Sequence, residues 1–366
     1  MSATEKHHAE GLGLRPVLTV LQQVNAPTPK TNPYLTQLFD VLSPMVRIQY
    51  WSLRKALLSR YDVVHLHWPE YMMRHPSRIG RILRRCAVAV VLLRWSVLRT
   101  PVVRTMHNLE PHEGGGRFER WLLAWMDHLV TRWIRINATT EIREPGTDTA
   151  LHGHYRDWYA RLRKPPAIKG RLLHFGLIRP YKGVETLIDA IAGVHMDDCT
   201  LHIVGNPANA EMRELVEHAC EDDDRIDALL KYVDDPTLNR EISEAEMVVL
   251  PYHEMHNSGT LLLSLSLSRP VLVPQTINNA AVAEEVGEGW IFMYEGELTS
   301  DVLEDGIRRM RSTKRRREPD LSRREWARAG ELHYRSYAAA ITQQRRGRRR
   351  AAAETSRTAT VPGGKR

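Results

Sequence analysis

Short apolar runs alternate with amphipathic helical patterns along nearly the whole chain, and that alternation limits the fold more than any other feature. Strands that read as near-continuous Val, Ile and Leu are buried on both faces, which requires a parallel sheet with helices covering it. A first series runs PVLTVLQQV, VRIQYWS, YDVVHLHWP, PVVRTMHN and WIRINATT. The segment 144–170 is then rich in Pro, Gly and charge, and the alternation restarts with RLLHFGLI, CTLHIVG, IDALLKYV, EMVVLPY, PVLVP and GWIFMY. Helical patterns such as RFERWLLAWMDHLVTRW and VETLIDAIAGV lie between them.

The expected architecture is therefore α/β, with two successive Rossmann-like domains. A chain of 366 residues suits two domains of ordinary size. The boundaries expected are a flexible N-terminus (1–15), a first domain (16–150), a junction (151–170) and a second domain (171–325). A C-terminal helix (326–344) and a disordered basic tail (345–366) follow.

The net charge of +8 is concentrated in that tail, which carries eight Lys/Arg and one Glu and leaves the rest nearly neutral. Its composition, with almost no large apolar residue, predicts disorder; it could bind anionic lipid or nucleic acid, or simply solubilise the chain. A second asymmetry lies between Tyr71 and Leu109, which hold eight Arg and no Asp or Glu around the apolar run AVAVVLL. That run is far too short to span a bilayer, but a basic, apolar helix suits the face of an anionic membrane. Three scattered cysteines, Cys86, Cys199 and Cys220, argue against a disulfide framework or zinc site and fit a reducing compartment. With no apolar core of a signal peptide at the N-terminus, a cytoplasmic chain is expected, peripheral on the plasma membrane if the Arg-rich region docks there.

Ligands of open parallel sheets bind beyond the carboxyl ends of the strands, which selects loops at 25–32, 65–70, 107–116, 179–183, 205–209 and 251–259. In FGLIRPYKG, Arg179 and Lys182 precede Gly183 and a helix, an arrangement suited to a diphosphate. In the loop PYHEMHNSG, the amides of Ser258, Gly259 and Thr260 would open a second helix, TLLLSLSL, which is expected to be buried. There is no Walker motif and no GxGxxG, so ATP and NAD folds lose ground. His152 and His154 lack a third ligand in sequence, and neither a metal nor another cofactor is expected.

These motifs resemble the group-1 (family four) retaining glycosyltransferases of GT-B architecture, two Rossmann-like domains facing a cleft. FGLIRPYKG corresponds to that class's GRLxxxKG, and AEMVVLPYHEMHNSGTLLLSLSLSRPVLV to ADVFVLPSxxEGFGxxxLEAMAxGxPVV. RTMHN and TNPYLTQLF are similar to first-domain motifs of the class. The resemblance implies a hexosyltransferase of the retaining kind that moves a sugar from a nucleotide-diphosphate donor to a lipid-linked or polysaccharide acceptor, in envelope or exopolysaccharide synthesis. It implies that Lys182, Arg179 and Gly183 meet the diphosphate together with Asn257, Ser258, Gly259 and Thr260, and that His107 contacts the transferred sugar. An inverting enzyme would need a base in the first domain, for which His107, Glu113, Glu70 and His112 are available.

One departure stands out. The family's paired glutamates are not intact: Leu263 falls where the ribose-binding one belongs, and Glu254 replaces the first only with a one-residue shift. A nucleotide-sugar epimerase of the same fold, a catalytically silent GT-B scaffold and a basic-tailed binding protein therefore stay open.

Overall fold

The computed structural model describes residues 17–28, 31–107, 116–141, 144, 146–252 and 259–359, with side chains as far as Arg349. The chain forms two compact units, one of Met1–Arg135, Ile142–Ala150 and Gly330–Arg366, the other of Ile136–Glu141 and Leu151–Ala329.

The first unit holds six parallel strands: β1 (Leu18–Gln22), β2 (Val46–Tyr50), β3 (Val63–Leu66), β4 (Val102–Met106), β5 (Arg132–Arg135) and β6 (Thr147–Thr149). Their order is β2-β1-β3-β4-β5-β6. β6 carries no apolar pattern, its residues Thr-Asp-Thr being all polar; Asp148 is held there by Arg132 at 2.7 Å and by the Ser336 hydroxyl at 2.6 Å. Helices α1 (Pro33–Leu42), α2 (Leu53–Leu58), α3 (Arg78–Val97) and α4 (Arg117–Leu129) cover the sheet. α1 starts where the sequence allows: the Asn32 side chain accepts from the Tyr34 amide at 3.0 Å, and Pro33, which has no amide hydrogen to satisfy, takes the first helical position. Val88, Val91, Leu92 and Trp95 of α3 join Leu122 and Met126 of α4 in the core.

The second unit repeats the plan with β7 (Arg171–Phe175), β8 (Thr200–Val204), β9 (Ile226–Leu229), β10 (Met247–Val249), β11 (Val271–Pro274) and β12 (Ile291–Tyr294). All are parallel, in the order β12-β11-β10-β7-β8-β9. Its helices are α5 (Val184–Ala192), α6 (Ala210–Asp222), α7 (Asp235–Glu244), α8 (Gly259–Ser266), α9 (Ile277–Val286) and α10 (Ser300–Ser312). α8 is the buried helix expected of TLLLSLSL, with Leu261 to Ser266 all buried. Its serines are tolerated inside because Ser264 and Ser266 donate to the carbonyls one turn back, at 2.9 and 2.6 Å.

Two expectations about the chain's organisation need correction. The first unit is not contiguous: residues 136–141 belong with the second unit, and from Gly330 the chain belongs to the first again. The last helix, α11 (Trp326–Ala359), also continues through residues 345–359, where composition pointed to disorder. Arg and Ala make up most of that stretch, and their helix propensity favours continuing a helix already nucleated upstream. Gly330 lets α11 lie against α1, since a Cβ there would come within 3.0 Å of the Val41 side chain.

Candidate functional sites

In each sheet the strand order reverses once, and the crevice beyond the carboxyl ends at such a point is where doubly wound sheets bind ligands. In the second unit the reversal falls between β7 and β10. The segment after β7 forms a short 3-10 turn, Pro180–Lys182, and then α5. Gly183 between them adopts φ 65°, and a Cβ there would lie 2.2 Å from the Pro251 carbonyl oxygen, so only glycine allows the two loops to close on each other. Gly176 has a related role, because a Cβ on it would stand 3.1 Å from Lys182 Nζ.

Lys182 is buried, with its ammonium 5.0 Å from the centre of the Tyr252 ring. The Tyr252 hydroxyl donates to Thr260 Oγ1 at 3.3 Å, which ties the first turn of α8 to the same place. Burial, reinforced by the charge of Arg179, lowers the Lys182 pKa to about 8. Among the described residues no carboxylate pairs with Lys182 or with Arg179. Two cations that have no counter-ion among the described residues, at the start of a nine-residue helix, are an arrangement suited to an anion. His174 lies beneath it on β7, its Nδ1 3.1 Å from the Val249 carbonyl, and burial together with the Lys182 charge lowers its pKa to about 4. The structure thus brings Arg179, Lys182, Gly183, Gly259 and Thr260 together. Glu254, Asn257 and Ser258 lie outside the described residues.

In the first unit the reversal falls between β1 and β3. Gln22 ends β1, His65 and His67 alternate along β3 and its exit, and Thr105 and His107 do the same on β4. Alternate residues of a strand share a face, so these side chains converge. His67 Nδ1 is 3.1 Å from His107 Nε2, and His67 Nε2 is 3.2 Å from Gln22 Oε1. Gln22 Nε2 reaches the Tyr337 hydroxyl of α11 at 3.3 Å; that hydroxyl is 2.8 Å from His65 Nδ1, and His65 Nε2 is 2.8 Å from Thr105 Oγ1. The Trp68 ring stacks on His107 with centroids 4.1 Å apart, and the Tyr34 ring meets His107 edge-on at 5.1 Å. Burial lowers the His67 pKa to about 3, with a smaller contribution from His333, and it holds His65 well below the ordinary histidine range.

Glu70 is buried in the 3-10 turn Pro69–Met72, where its charge acts on Arg104. Glu113 and His112 lie outside the described residues. Gln22 and Tyr337 were not among the residues expected at a site, and His65 was included only as the start of the loop 65–70. Gln22 and His65 were visible as QQ and HLH at strand ends, but nothing local marks Tyr337, which lies 272 positions from His65. His154, Asp157 and Glu325 bring possible metal-ligand atoms within 4.8 Å of one another, two of them on exposed carboxylates. His154 already accepts from the Arg156 amide at 3.3 Å and sits 3.2 Å from Glu325, which is what junction packing requires.

Two doubly wound parallel sheets, one with a lysine and an arginine unpaired among the described residues at its switch point, are the architecture of the GT-B class. Residues 169–310 match the family model described as glycosyl transferases group 1. Two proteins of Xanthomonas campestris pv. campestris, each named GDP-mannose:glycolipid 4-beta-D-mannosyltransferase, are 55% and 54% identical over 341 residues. Each alignment covers 93% of this chain and 98% of the relative. Among solved structures, Anabaena Alr3699/HepE in complex with UDP and glucose superimposes with a TM-score of 0.57 at 13% identity, over 92% of this chain and 100% of that one. A sucrose-phosphate synthase from Thermosynechococcus elongatus gives 0.54 at 14%, over 92% and 100%. The chain belongs to the group 1 glycosyltransferases.

Proposed function

We propose that the chain transfers mannose from GDP-mannose to a hydroxyl of a glycolipid, with inversion at the anomeric carbon. The observation that carries this reading is identity above half with named GDP-mannose:glycolipid 4-beta-D-mannosyltransferases over nearly the full length of both chains. The mannose of GDP-mannose is α-linked, so a β product requires one displacement from the opposite face. The resemblance in sequence implied retention; the relatives' names support the other outcome.

In that displacement the C1–O bond to GDP breaks as the acceptor oxygen bonds C1. Negative charge develops on the departing diphosphate, where Lys182, Arg179 and the first-turn amides of α5 are preorganised to meet it. The acceptor hydroxyl loses its proton, and His107 is the base assigned to take it. Recognition of the donor requires no metal in this scheme. The test is to incubate the protein with GDP-mannose and a glycolipid acceptor and to determine the product's anomeric configuration by NMR. GDP release that depends on acceptor, with a β linkage, is expected; an α linkage refutes inversion, and release of GDP without a glycolipid product refutes the transfer.

We also infer that α3 and α4 rest on an anionic membrane surface. Ile79, Ile82, Leu83, Val90, Leu93 and Val97 are 54–73% exposed and recur at helical spacing along all of α3, which carries no carboxylate. Exposed Phe118 and Trp121 stack beside them on α4 with centroids 5.6 Å apart. Basic side chains along such a stripe complement anionic headgroups, while no helix among the described residues is long and apolar enough to cross a membrane. The protein should co-sediment with vesicles containing phosphatidylglycerol, and Ile82→Glu with Leu83→Glu should release it. Equal binding by the double variant would refute the surface.

A further inference from the structure

A cleft of about 760 Å³ opens in the first unit at the edge of the sheet opposite His107. Asp62 and Pro101, which immediately precede β3 and β4, line it, whereas His107 follows the carboxyl end of β4. Five arginines line the same cleft, Arg60, Arg94, Arg99, Arg345 and Arg348. Asp62 is the one carboxylate of the lining, and it already accepts from the Thr19 amide at 2.8 Å. None of the five arginines forms an ion pair among the described residues. Two of them are held by neutral groups. Arg94 donates to the Ser59 carbonyl at 3.0 Å and to the Tyr61 hydroxyl, and its guanidinium carbon stands 4.9 Å from the centre of the Tyr61 ring. Arg348, on α11, donates to the carbonyls of Leu98 and Arg99 just past the end of α3. A guanidinium has five N–H donors, so both keep unused ones. Arg60, Arg99 and Arg345 make no side-chain hydrogen bond among the described residues. Arg99 also stands against local preference. α3 closes in a Schellman motif, with the Thr100 amide donating to the Trp95 carbonyl at 2.9 Å and the Arg99 amide to that of Ser96 at 3.2 Å. Arg99 takes φ 46° there, at the position where glycine is the unstrained residue.

We propose that this cleft binds the phosphate-bearing headgroup of an anionic membrane lipid. Guanidinium forks with unused donors around one opening are the chemistry that recognises phosphate, through paired N–H···O bonds. The apolar side of the cleft points to the source of that phosphate. Val97 and Leu98, 71% and 47% exposed, line it as well, and Val97 is the last member of the exposed stripe on α3. A lipid can set its headgroup among the arginines and its chains along that stripe, whereas a free phosphate leaves Val97 and Leu98 in water. For this source the inference rests on the membrane reading of α3, to which it adds a discrete site. Because the cleft lies at the amino ends of β3 and β4, a lipid held there leaves the His107 end of the sheet open.

The experiment is calorimetric titration of the full chain, with GDP in excess to fill the cationic site of the second unit. The probes are dihexanoyl phosphatidylglycerol, dihexanoyl phosphatidylcholine and inorganic phosphate. Below its micellar concentration a short-chain lipid is a soluble monomer, so the titration reports a site and not a charged surface. Phosphatidylglycerol should bind more tightly than either of the other two. Arg60→Gln with Arg345→Gln should weaken it about 30-fold without moving the urea midpoint, since neither side chain has a partner in the fold. Arg346→Gln with Arg349→Gln removes the same charge from α11 outside the cleft and should weaken it less than about threefold. Arg99→Gly should raise the Tm and still weaken binding, a split that a purely structural arginine would not give. Absence of phosphatidylglycerol binding overturns the site, and so does equal loss in the two double variants. Inorganic phosphate binding as tightly as the lipid overturns the lipid source. Ile82→Glu with Leu83→Glu should leave this titration unchanged. A wild-type chain that binds the short-chain lipid but does not co-sediment with vesicles upholds the site and refutes the surface alone, so the two failures are distinguishable.

Discussion

Lys182→Met should cost the protein its activity and make the nucleotide-free chain more stable. The ammonium is buried against Gly176 and the Tyr252 ring, with no carboxylate partner among the described residues, and its pKa falls from 10.5 to about 8. Between those two values the unfolded chain binds more protons than the folded one, so stability rises with pH there and the penalty is complete below pH 8. The shift corresponds to about 3 kcal/mol at pH 7 as an upper bound. Methionine keeps the length of the side chain and removes the charge, so we expect a gain of about 1–3 kcal/mol in urea unfolding at pH 7. The gain should vanish as the pH approaches 10.5, because the wild-type lysine is then neutral in both states. Transfer should meanwhile fall about 10²–10³-fold, the loss typical of removing one preorganised group from a developing negative charge. Added GDP at a hundredfold excess over its Kd should stabilise the wild-type protein by about 2.7 kcal/mol and the variant much less. Undiminished transfer would refute the diphosphate assignment. A variant less stable than wild type at pH 7 would refute the claim that the cation is uncompensated.

Three further outcomes follow from single observations. Gly183→Ala forces a Cβ to within 2.2 Å of the Pro251 carbonyl oxygen at a positive φ, and should lower stability by about 2 kcal/mol or more and weaken GDP binding; calorimetry and a GDP titration check both. Glu241 is held at about 2 by the neighbouring His202, 3.7 Å away, and then by Arg240 and Arg171, in spite of its burial. Its stabilising contribution, up to about 3 kcal/mol, is present above pH 4.5 and lost as the pH falls through 2, so Glu241→Gln should be less stable at pH 7 and converge on wild type in acid unfolding. Tyr252→Phe removes the hydroxyl bound to Thr260 but keeps the ring beside Lys182, and should raise the KM for GDP-mannose with little loss of Tm.

Periodicity made the two parallel sheets legible, because strands buried on both faces must be apolar throughout. The turn that places Arg179, Lys182 and Gly183 together was legible as well, because they lie within five residues and a strand end followed by a helix start is a local pattern. β6 was hidden because an edge strand of Thr-Asp-Thr is held by side-chain bonds to Arg132 and Ser336, not by apolar burial. The continuation of α11 past residue 344 was hidden because an argument from apolar content alone ignores helix propensity. The histidine chain was half visible. Alternation places His65 and His67 on one face, but a loop-by-loop search for ligands looks at where strands end and passes over the side chains inside them.

The two switch points carry opposite electrostatic designs, and this supports assigning them different chemical tasks. In the second unit a lysine and an arginine are left without a partner among the described residues, a state that becomes favourable only when an anion arrives. In the first unit the buried titratable groups His65 and His67 are kept neutral by burial, and their ring nitrogens are bonded to Thr105 and Tyr337 and to His107 and Gln22. A fully bonded neutral network is rigid and selects a tautomer, whereas an unpaired cation selects a charge. Sugar transfer needs both, one for the leaving diphosphate and one for the proton of the attacking hydroxyl. The missing glutamate fits the same division. Leu263, at the position where the family has its ribose-binding carboxylate, is 9% exposed and packed into the core of the second unit. A carboxylate in that packing would be a buried charge, so leucine suits the position, and a donor's ribose would need other groups to hold it.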